Sequence, residues 1–277
     1  MLIKLYNIFL ILGIVCIIAV VFLFWFYYQS EKKLEVDFLD VKQGDAILIK
    51  IPTGQNILID GGPDKTIIKR LNENLPWWDK QIDLMVLTHP HDDHVGGLIN
   101  VLKKYDVKKI IYNGVVHNTP NYLTWLKLVQ KKKIKLIIIN QPQTVKLSDN
   151  CWLKIIYPTK SLAGQEVENL NNSSLVMQLI YNQIKFLFVG DLEKLGEEEL
   201  LNNKIDLSAD VLKIGHHGSD TSSSQEFLDK IKPQIAIISV GANNDFGFPN
   251  LRIIKRLERL GIKILRTDQL GTIKLVY

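Results

Sequence analysis

Cysteine is nearly missing from this 277-residue sequence. Cys16 lies inside an apolar run and Cys151 stands alone in the remainder, which excludes a disulfide-built scaffold and a cysteine metal cluster. Glycine (17) and proline (9) are too few for a low-complexity or collagen-like chain. Charge of one sign is also lacking: 34 basic against 29 acidic side chains leave +5, which permits an anionic partner without identifying one. No G-x-x-x-x-G-K-[ST], no G-x-G-x-x-G after a strand, no G-x-S-x-G and no H-E-x-x-H occurs, so P-loop, dinucleotide-binding, serine-hydrolase and zincin devices are absent. What remains is 47% apolar and 23% charged, the composition of a packed globular protein.

Charge is distributed unevenly. Over residues 1–30 the only charged side chain is Lys4, and Leu5 to Tyr28 runs uncharged as LYNIFLILGIVCIIAVVFLFWFYY. About 20 apolar residues span a bilayer as a helix, so this run is expected to do so, with Trp25 to Tyr28 at the interface. A cleaved signal peptide would have a shorter apolar region and a small-residue cleavage site, whereas bulky aromatics end this run. Residues 1–30 are therefore read as an uncleaved anchor and 31–277 as one domain. Lys4 on one side and Lys32 and Lys33 beside Glu31 and Glu35 on the other give no orientation.

Beyond residue 30 no linker or repeat divides the chain. Short β-branched runs recur (LEVDFLDV, AILIKI, NILID, DLMVLT, KKIIYN, IKLIII, CWLKIIY, SLVMQLIY, IKFLFVGD, ADVLKIG, QIAIISV, IKILRT), most of them ending in Gly, Asp, Asn or Pro. Helix-period segments fall at 65–75, 95–105, 121–132, 193–202, 223–231 and 251–260. Strands first crowd together and then alternate with helices, which predicts layered α/β structure with mixed sheets.

The chemistry concentrates in Thr88-His89-Pro90-His91-Asp92-Asp93-His94, after the apolar strand DLMVLT. Half of the six histidines lie here. Imidazole and carboxylate together suit zinc, or manganese and iron where oxygen donors are numerous. Gly96 and Gly97 follow, small enough for backbone to pack against the helix that begins here. His117, beside Asn118, reads as a surface residue. The lysines at 103–104, 108–109 and 131–133 suit either a nucleic-acid backbone or solvated helix faces.

H-x-H-x-D-H after an apolar strand resembles the signature of the metallo-β-lactamase superfamily of hydrolases. DFLDVKQGDAILI (37–49), LIDGGP (58–63), NNSSLV (171–176), FVGDLE (188–193), LKIGHHGSDTS (212–222), AIISVGANN (236–244) and RTDQLGTI (266–273) are similar to the extracellular hydrolase domain of the ComEC family of competence proteins. The resemblance covers about residues 34–277. It implies an α/β fold, the four-layer αββα sandwich, and a site for two divalent metal ions, zinc or manganese. His89 and His91 would hold the first metal, Asp93 and His94 the second, and Asp191 would bridge them. His216 is expected to complete the second metal, with its neighbour His217 as the rival; His217 would then act on the leaving group or support the ligands. Asn171 and Ser174 stand where the superfamily usually has a third histidine for the first metal, so that metal should be labile. Asp60 is the natural partner for a ligating histidine, while Asp45 either supports the site or shapes the turn after Gly44. Gly218, Ser219 and Thr221 offer phosphate contacts, and Ser222 to Ser224 read as a helix cap. Where family members have G-H-P, this chain has Gly247-Phe248-Pro249.

Two metals supply hydroxide near neutral pH and polarise the ester under attack. The expected function is thus a membrane-anchored, metal-dependent phosphodiesterase, a DNase linked to DNA uptake, with Asp93 and His217 in catalytic roles. DNA would be its substrate, competence-channel proteins its partners, and the outer side of the cell membrane its place. Action on another extracellular phosphoester, such as cell-wall phosphocholine, is the alternative within the same chemistry. A non-catalytic accessory of a competence channel is the alternative outside it.

Overall fold

The computed structural model describes residues 2–29, 33–203 and 205–277. The chain divides into two compact units, Met1–Lys33 and Leu34–Tyr277. The first holds a 28-residue helix, Leu2–Gln29, whose side chains are exposed from Phe9 to Trp25. Among the described residues no helix is long and apolar enough to cross a membrane. The aromatics Phe26, Tyr27 and Tyr28, on which the anchor expectation relied, lie outside the described side chains.

The second unit is built on two seven-stranded sheets. One runs Ile273–Val276, Glu35–Phe38, Ile47–Lys50, Asn56–Ile59, Leu84–Leu87, Lys109–Tyr112, Lys135–Ile138, antiparallel over its first four strands and parallel from there on. The other runs Lys263–Arg266, Ile235–Ile238, Val211–Lys213, Ile184–Phe188, Val176–Tyr181, Cys151–Tyr157, Gln143–Ser148, with its first four strands parallel. A two-stranded ladder, Gln81–Ile82 with Asp106–Val107, lies apart from both.

Strand periodicity sorts the apolar side chains into three cores. Ile47, Ile49, Ile57, Ile59 and Val86 face Leu153, Met177, Leu179, Phe186, Phe188 and Ile237 between the sheets. The alternate residues Leu48, Leu58, Met85 and Leu87 pack instead on Ile67, Leu71, Val95, Leu98, Leu102 and Trp125 of the outer helices. Leu187, Leu212, Ala236 and Ile238 do the same with Leu200, Phe227, Leu228, Ile253 and Leu257 on the opposite flank. Strands buried on both faces need unbroken apolar runs, which is why these read as VLT-type and FLF-type blocks rather than alternating ones. Each fully buried Phe or Leu contributes about 1.5–3 kcal/mol. The layers are helix, sheet, sheet, helix, as the resemblance implied.

Helices match their expected spans within a few residues. The helix Asp92–Lys104 starts earlier than its apolar period, because Asp92 and Asp93 fill its first turn and Lys103 and Lys104 its last, complementing the helix dipole. Pro120 opens Pro120–Lys131. Ser224 caps Gln225–Ile231, its hydroxyl accepting from Phe227 N at 3.3 Å. The short helix Thr267–Leu270 has no periodic pattern to announce it.

Candidate metal centre

The carboxyl ends of parallel strands form one rim, the usual place for a site in α/β sheets. Asp60 follows Asn56–Ile59, the Thr88–His94 turn follows Leu84–Leu87, Asp191 follows Ile184–Phe188, and the histidine pair follows Val211–Lys213. Two glycines let the first two segments close. A Cβ on Gly97 would stand 1.8 Å from Gly61 O. With none there, Gly97 N donates to Gly62 O at 2.8 Å and Gly61 N to His94 O at 2.9 Å. The helix start is thereby locked to the loop that carries Asp60.

Asp60 is buried and accepts from Thr88 N at 2.8 Å, Thr88 Oγ1 at 2.7 Å and His94 Nδ1 at 2.8 Å. His94 therefore carries its proton on Nδ1 and turns a bare Nε2 inward, and that buried Nε2 has no hydrogen-bond partner. The same device recurs at His217, whose Nδ1–H donates to the Ser239 carbonyl at 2.9 Å. Thr88 Oγ1, having given its hydrogen to Asp60, accepts from His89 Nδ1 at 3.1 Å. Three imidazoles are thus held by their outer nitrogens, with Nε2 left for a metal.

Those nitrogens meet Asp191. Its Oδ2 lies 3.3 Å from His94 Nε2, 3.3 Å from His217 Nε2 and 4.0 Å from His89 Nε2. Asp93 Oδ2 is 3.2 Å from His217 Nε2, so Asp93, His94, Asp191 and His217 offer four donor atoms within 4.8 Å of one another. His89 Nε2 and His91 Nδ1 stand 3.1 Å apart on the Asp191 side of His89. Two nitrogens bound at about 2.1 Å to one tetrahedral ion would be about 3.4 Å apart, so this pair also suits a metal. Ser174 Oγ accepts from Asp191 N at 3.0 Å and lies 3.2 Å from His89 Nδ1, fixing both.

Electrostatics point the same way. Burial would push the Asp191 carboxyl up, but His217, His94 and Lys213 hold it well below the ordinary range. Burial likewise opposes Asp93 and Asp45, whose pKa values the neighbouring His94 (for Asp93) and Lys213 (for Asp45) bring down. Burial, with the nearby Asp45 charge adding to it, leaves Asp60 raised despite His94. His94 and His217, though buried, are driven well up by Asp191 and the other carboxylates, whereas burial and His94 drive His89 well down. The gathered carboxylates are what lift His94 and His217, an offset that a divalent cation among them would take over. The donor set and the orphaned His94 Nε2 fit a candidate di-metal site of Asp and His residues.

One expectation is corrected. His217, not His216, joins the cluster. Lys213 occupies the site-facing position of its strand, and the chain then turns through Gly215–Gly218 with both histidines left-handed (φ 48° and 54°). That turn carries His217 inward, buried, and His216 outward, where its Nδ1 is 3.1 Å from Glu193 Oε1 and 3.3 Å from Thr221 Oγ1. With both ring nitrogens of His217 engaged at the centre, the leaving-group role suggested for it has no free nitrogen to serve it. Asn171 Nδ2 donates to Glu193 Oε1 at 3.1 Å and lies 3.5 Å from His216 Nδ1, while its buried Oδ1 has no hydrogen-bond partner. Ser219 is buried and bonded to Thr221 Oγ1 at 3.0 Å, shaping the turn.

Lys213 carries a role that the sequence reading did not assign. It is fully buried, donates to Gly190 O at 2.9 Å, pairs with Asp45, and lies 3.5 Å from Asp191 Oδ1. Burial lowers its pKa, yet Asp45 and Asp191 more than reverse this. The signal was available: a lysine set between the apolar residues Leu212 and Ile214 of ADVLKIG. The centre opens into a cavity of about 540 Å³, lined by Lys42, Gln43, Pro63, His91, Asp93, Asp191, both histidines of the pair, Phe246 and Phe248. The lysines at 103–104, 108–109 and 131–133 are exposed and none lines it. His117 lines a separate cavity of about 320 Å³ with Glu166 and Glu168.

Residues 39–242 match the model of the metallo-beta-lactamase superfamily. The chain is 30% identical over 287 aligned positions to ComE operon protein 3 of Bacillus subtilis, covering 96% of this chain and 35% of that protein. It is 28% identical to competence protein ComA of Neisseria gonorrhoeae, covering 88% of this chain and 32% of that protein. The chain thus spans about a third of the length of these curated relatives, and the resemblance to ComEC-family proteins holds over that part. Among solved structures, Igni18, a metallo hydrolase of Ignicoccus hospitalis, superposes with a TM-score of 0.54 at 15% identity, over 88% of this chain and 99% of that one. Fold, donor set and family match agree, and the chain belongs to the metallo-β-lactamase superfamily.

Proposed function

We propose that this chain is a metal-dependent phosphodiesterase acting on DNA, held to the membrane by residues 1–30 with its hydrolase domain outside the cell. The observation that carries the chemistry is Asp191 Oδ2, placed among the Nε2 atoms of His94, His217 and His89 at the floor of an open cavity. Asp93, His94, Asp191 and His217 would hold one divalent ion; His89 and His91, with Asp191 shared, would hold the other. When bound, such ions supply hydroxide at neutral pH and offset charge on the ester.

The chain's own residues do the rest. Asp60 and the Ser239 carbonyl fix the two inner imidazoles in one tautomer. Lys213 keeps Asp191 ionised and oriented. Burial of His89, His94, Asp191 and His217 excludes bulk water from the inner side. Lys42, exposed at the mouth, is placed to meet an anionic substrate. The competence relatives support a role in DNA uptake, which makes DNA the substrate to test first. The uncharged run Leu5–Tyr28 in the sequence supports the anchor.

The test uses the whole chain in detergent, stripped of metal and resupplied with Mn²⁺ or Zn²⁺, against single- and double-stranded DNA, RNA and small phosphodiesters. DNA turnover that disappears in Asp191→Asn, with the fold intact by circular dichroism, is the expected result. Turnover of choline phosphoesters but not DNA would move the activity to another extracellular ester. No turnover of any substrate would leave a non-catalytic accessory.

A further inference from the structure

Beside the metal centre the cavity wall changes character. Phe246 and Phe248 stack on each other with ring centroids 5.6 Å apart and planes 17° apart, and Phe246 is 67% exposed. A large aromatic left in water at the edge of a polar centre has lost burial that most phenylalanines obtain. The pair is also held firmly. Asn244 Nδ2 donates to Phe248 O at 2.7 Å and to Gly241 O at 2.9 Å, and Asn244 Oδ1 accepts from Phe248 N at 3.0 Å. Asn250 N donates to Gly218 O at 2.8 Å, tying the loop to the turn that carries His217. Ring follows ring from the shelf to the centre: Phe248 to His216 at 5.5 Å, His216 to His217 at 6.1 Å. Lys42 lines the same cavity.

We infer that Phe246 and Phe248 form a stacking shelf for a nucleobase of a single-stranded substrate, one nucleotide from the ester at the metal centre. This rests on the phosphodiesterase reading and narrows it. A flat apolar pair takes any base by its π-face and reads no sequence, while Lys42 meets the adjoining phosphate. Bases inside a duplex are already stacked on both faces, so the shelf selects single strands. The two phenylalanines are positioning residues: they hold the strand and leave the reacting atoms to the metal ligands.

The experiment compares kcat/KM of the full chain, in detergent with Mn²⁺, on a 12-mer of thymidine and on a 12-mer of the same backbone without bases. Quenching of a 2-aminopurine 12-mer reports stacking directly, without turnover. Wild type should prefer the base-bearing strand by about tenfold to a hundredfold. In the double variant Phe246→Leu, Phe248→Leu, which keeps apolar bulk without a π-face, that preference should fall toward one and the quenching should vanish. Phe248→Trp should retain both. A merely structural role would lower both rates together and leave their ratio unchanged, and that result would overturn the shelf. Equal cleavage of both strands by wild type would overturn it too while leaving the phosphodiesterase standing. Failure of wild type to cleave either strand would sink both.

Discussion

Lys213→Met is the perturbation that probes most sharply how the centre is held together. Methionine fills similar volume without charge, so the change isolates electrostatics. At 3.5 Å from Asp191 Oδ1, with an effective dielectric near 20, the attraction amounts to about 5 kcal/mol before desolvation is counted. Breaking a buried pair from one side costs about 3–5 kcal/mol, since the partner charge stays behind. Here two carboxylates, Asp45 and Asp191, are left, and Gly190 O loses its donor. For a domain of this size about 2–4 °C of Tm goes with each kcal/mol, which gives a fall of about 6–20 °C in EDTA. Divalent metal should recover more of this loss in the variant than it adds to wild type, because removing a cation beside Asp191 favours another cation. Thermal unfolding by circular dichroism, with EDTA and then with Mn²⁺, is the assay. A Tm within about 2 °C of wild type in EDTA, or a metal-induced rise no larger than that of wild type, would refute the reasoning.

Other changes carry their own expectations. Asp60→Ala removes the acceptor that holds His94 on its Nδ1, and metal affinity measured by calorimetry should fall about 10–100-fold; an unchanged affinity would show that His94 needs no such partner. Asp37 is fully buried, and its Lys50 is shared with Glu35 at 2.6 Å and Asn74 O at 3.0 Å; burial, which Lys50 only partly offsets, lifts the Asp37 carboxyl to about 6. A folded pKa above the unfolded value means that this group costs stability as pH rises from about 4 through about 6, by up to about 3 kcal/mol. Asp37→Asn should therefore gain on wild type in urea melts as pH climbs from 4 to 7, and a constant difference would count against it. Gly97→Ala forces a Cβ to within 1.8 Å of Gly61 O and should destabilise by at least about 1–3 kcal/mol in the same melts; a neutral result would mean that the helix can shift freely.

How far the sequence carried the account depends on which residues are considered. The layered fold was legible because strands buried on both faces must be continuously apolar and their outer helices keep a 3.6 period. His89, His91, Asp93 and His94 were legible because histidine is rare here and four such groups share six positions. Asp60 followed from the need of a ligating imidazole for an acceptor. The histidine pair was not legible, because strand parity fails once the chain enters two left-handed residues, and Lys213 shows which parity the strand had kept. Asn171 was legible only through the resemblance: a short 3-10 turn, Asn171–Ser173, sets its direction, and no periodicity describes such a turn. Phe248 appeared only as a departure from a family pattern, and Phe246 not at all. Their stacking depends on Asn244 bridging the loop, a contact between residues too near in sequence to leave any pattern of spacing.

Metal binding by the two neighbouring histidine variants tests the central assignment most directly. Calorimetry of the metal-free chain with Mn²⁺ and Zn²⁺ would compare wild type, His217→Ala and His216→Ala. His217→Ala should lose the tight site, with affinity reduced at least about 100-fold, because it removes one of the four converging donors. His216→Ala, directed at Glu193, should bind within a few-fold of wild type. Loss of the tight site in His216→Ala with retention in His217→Ala would contradict the assignment.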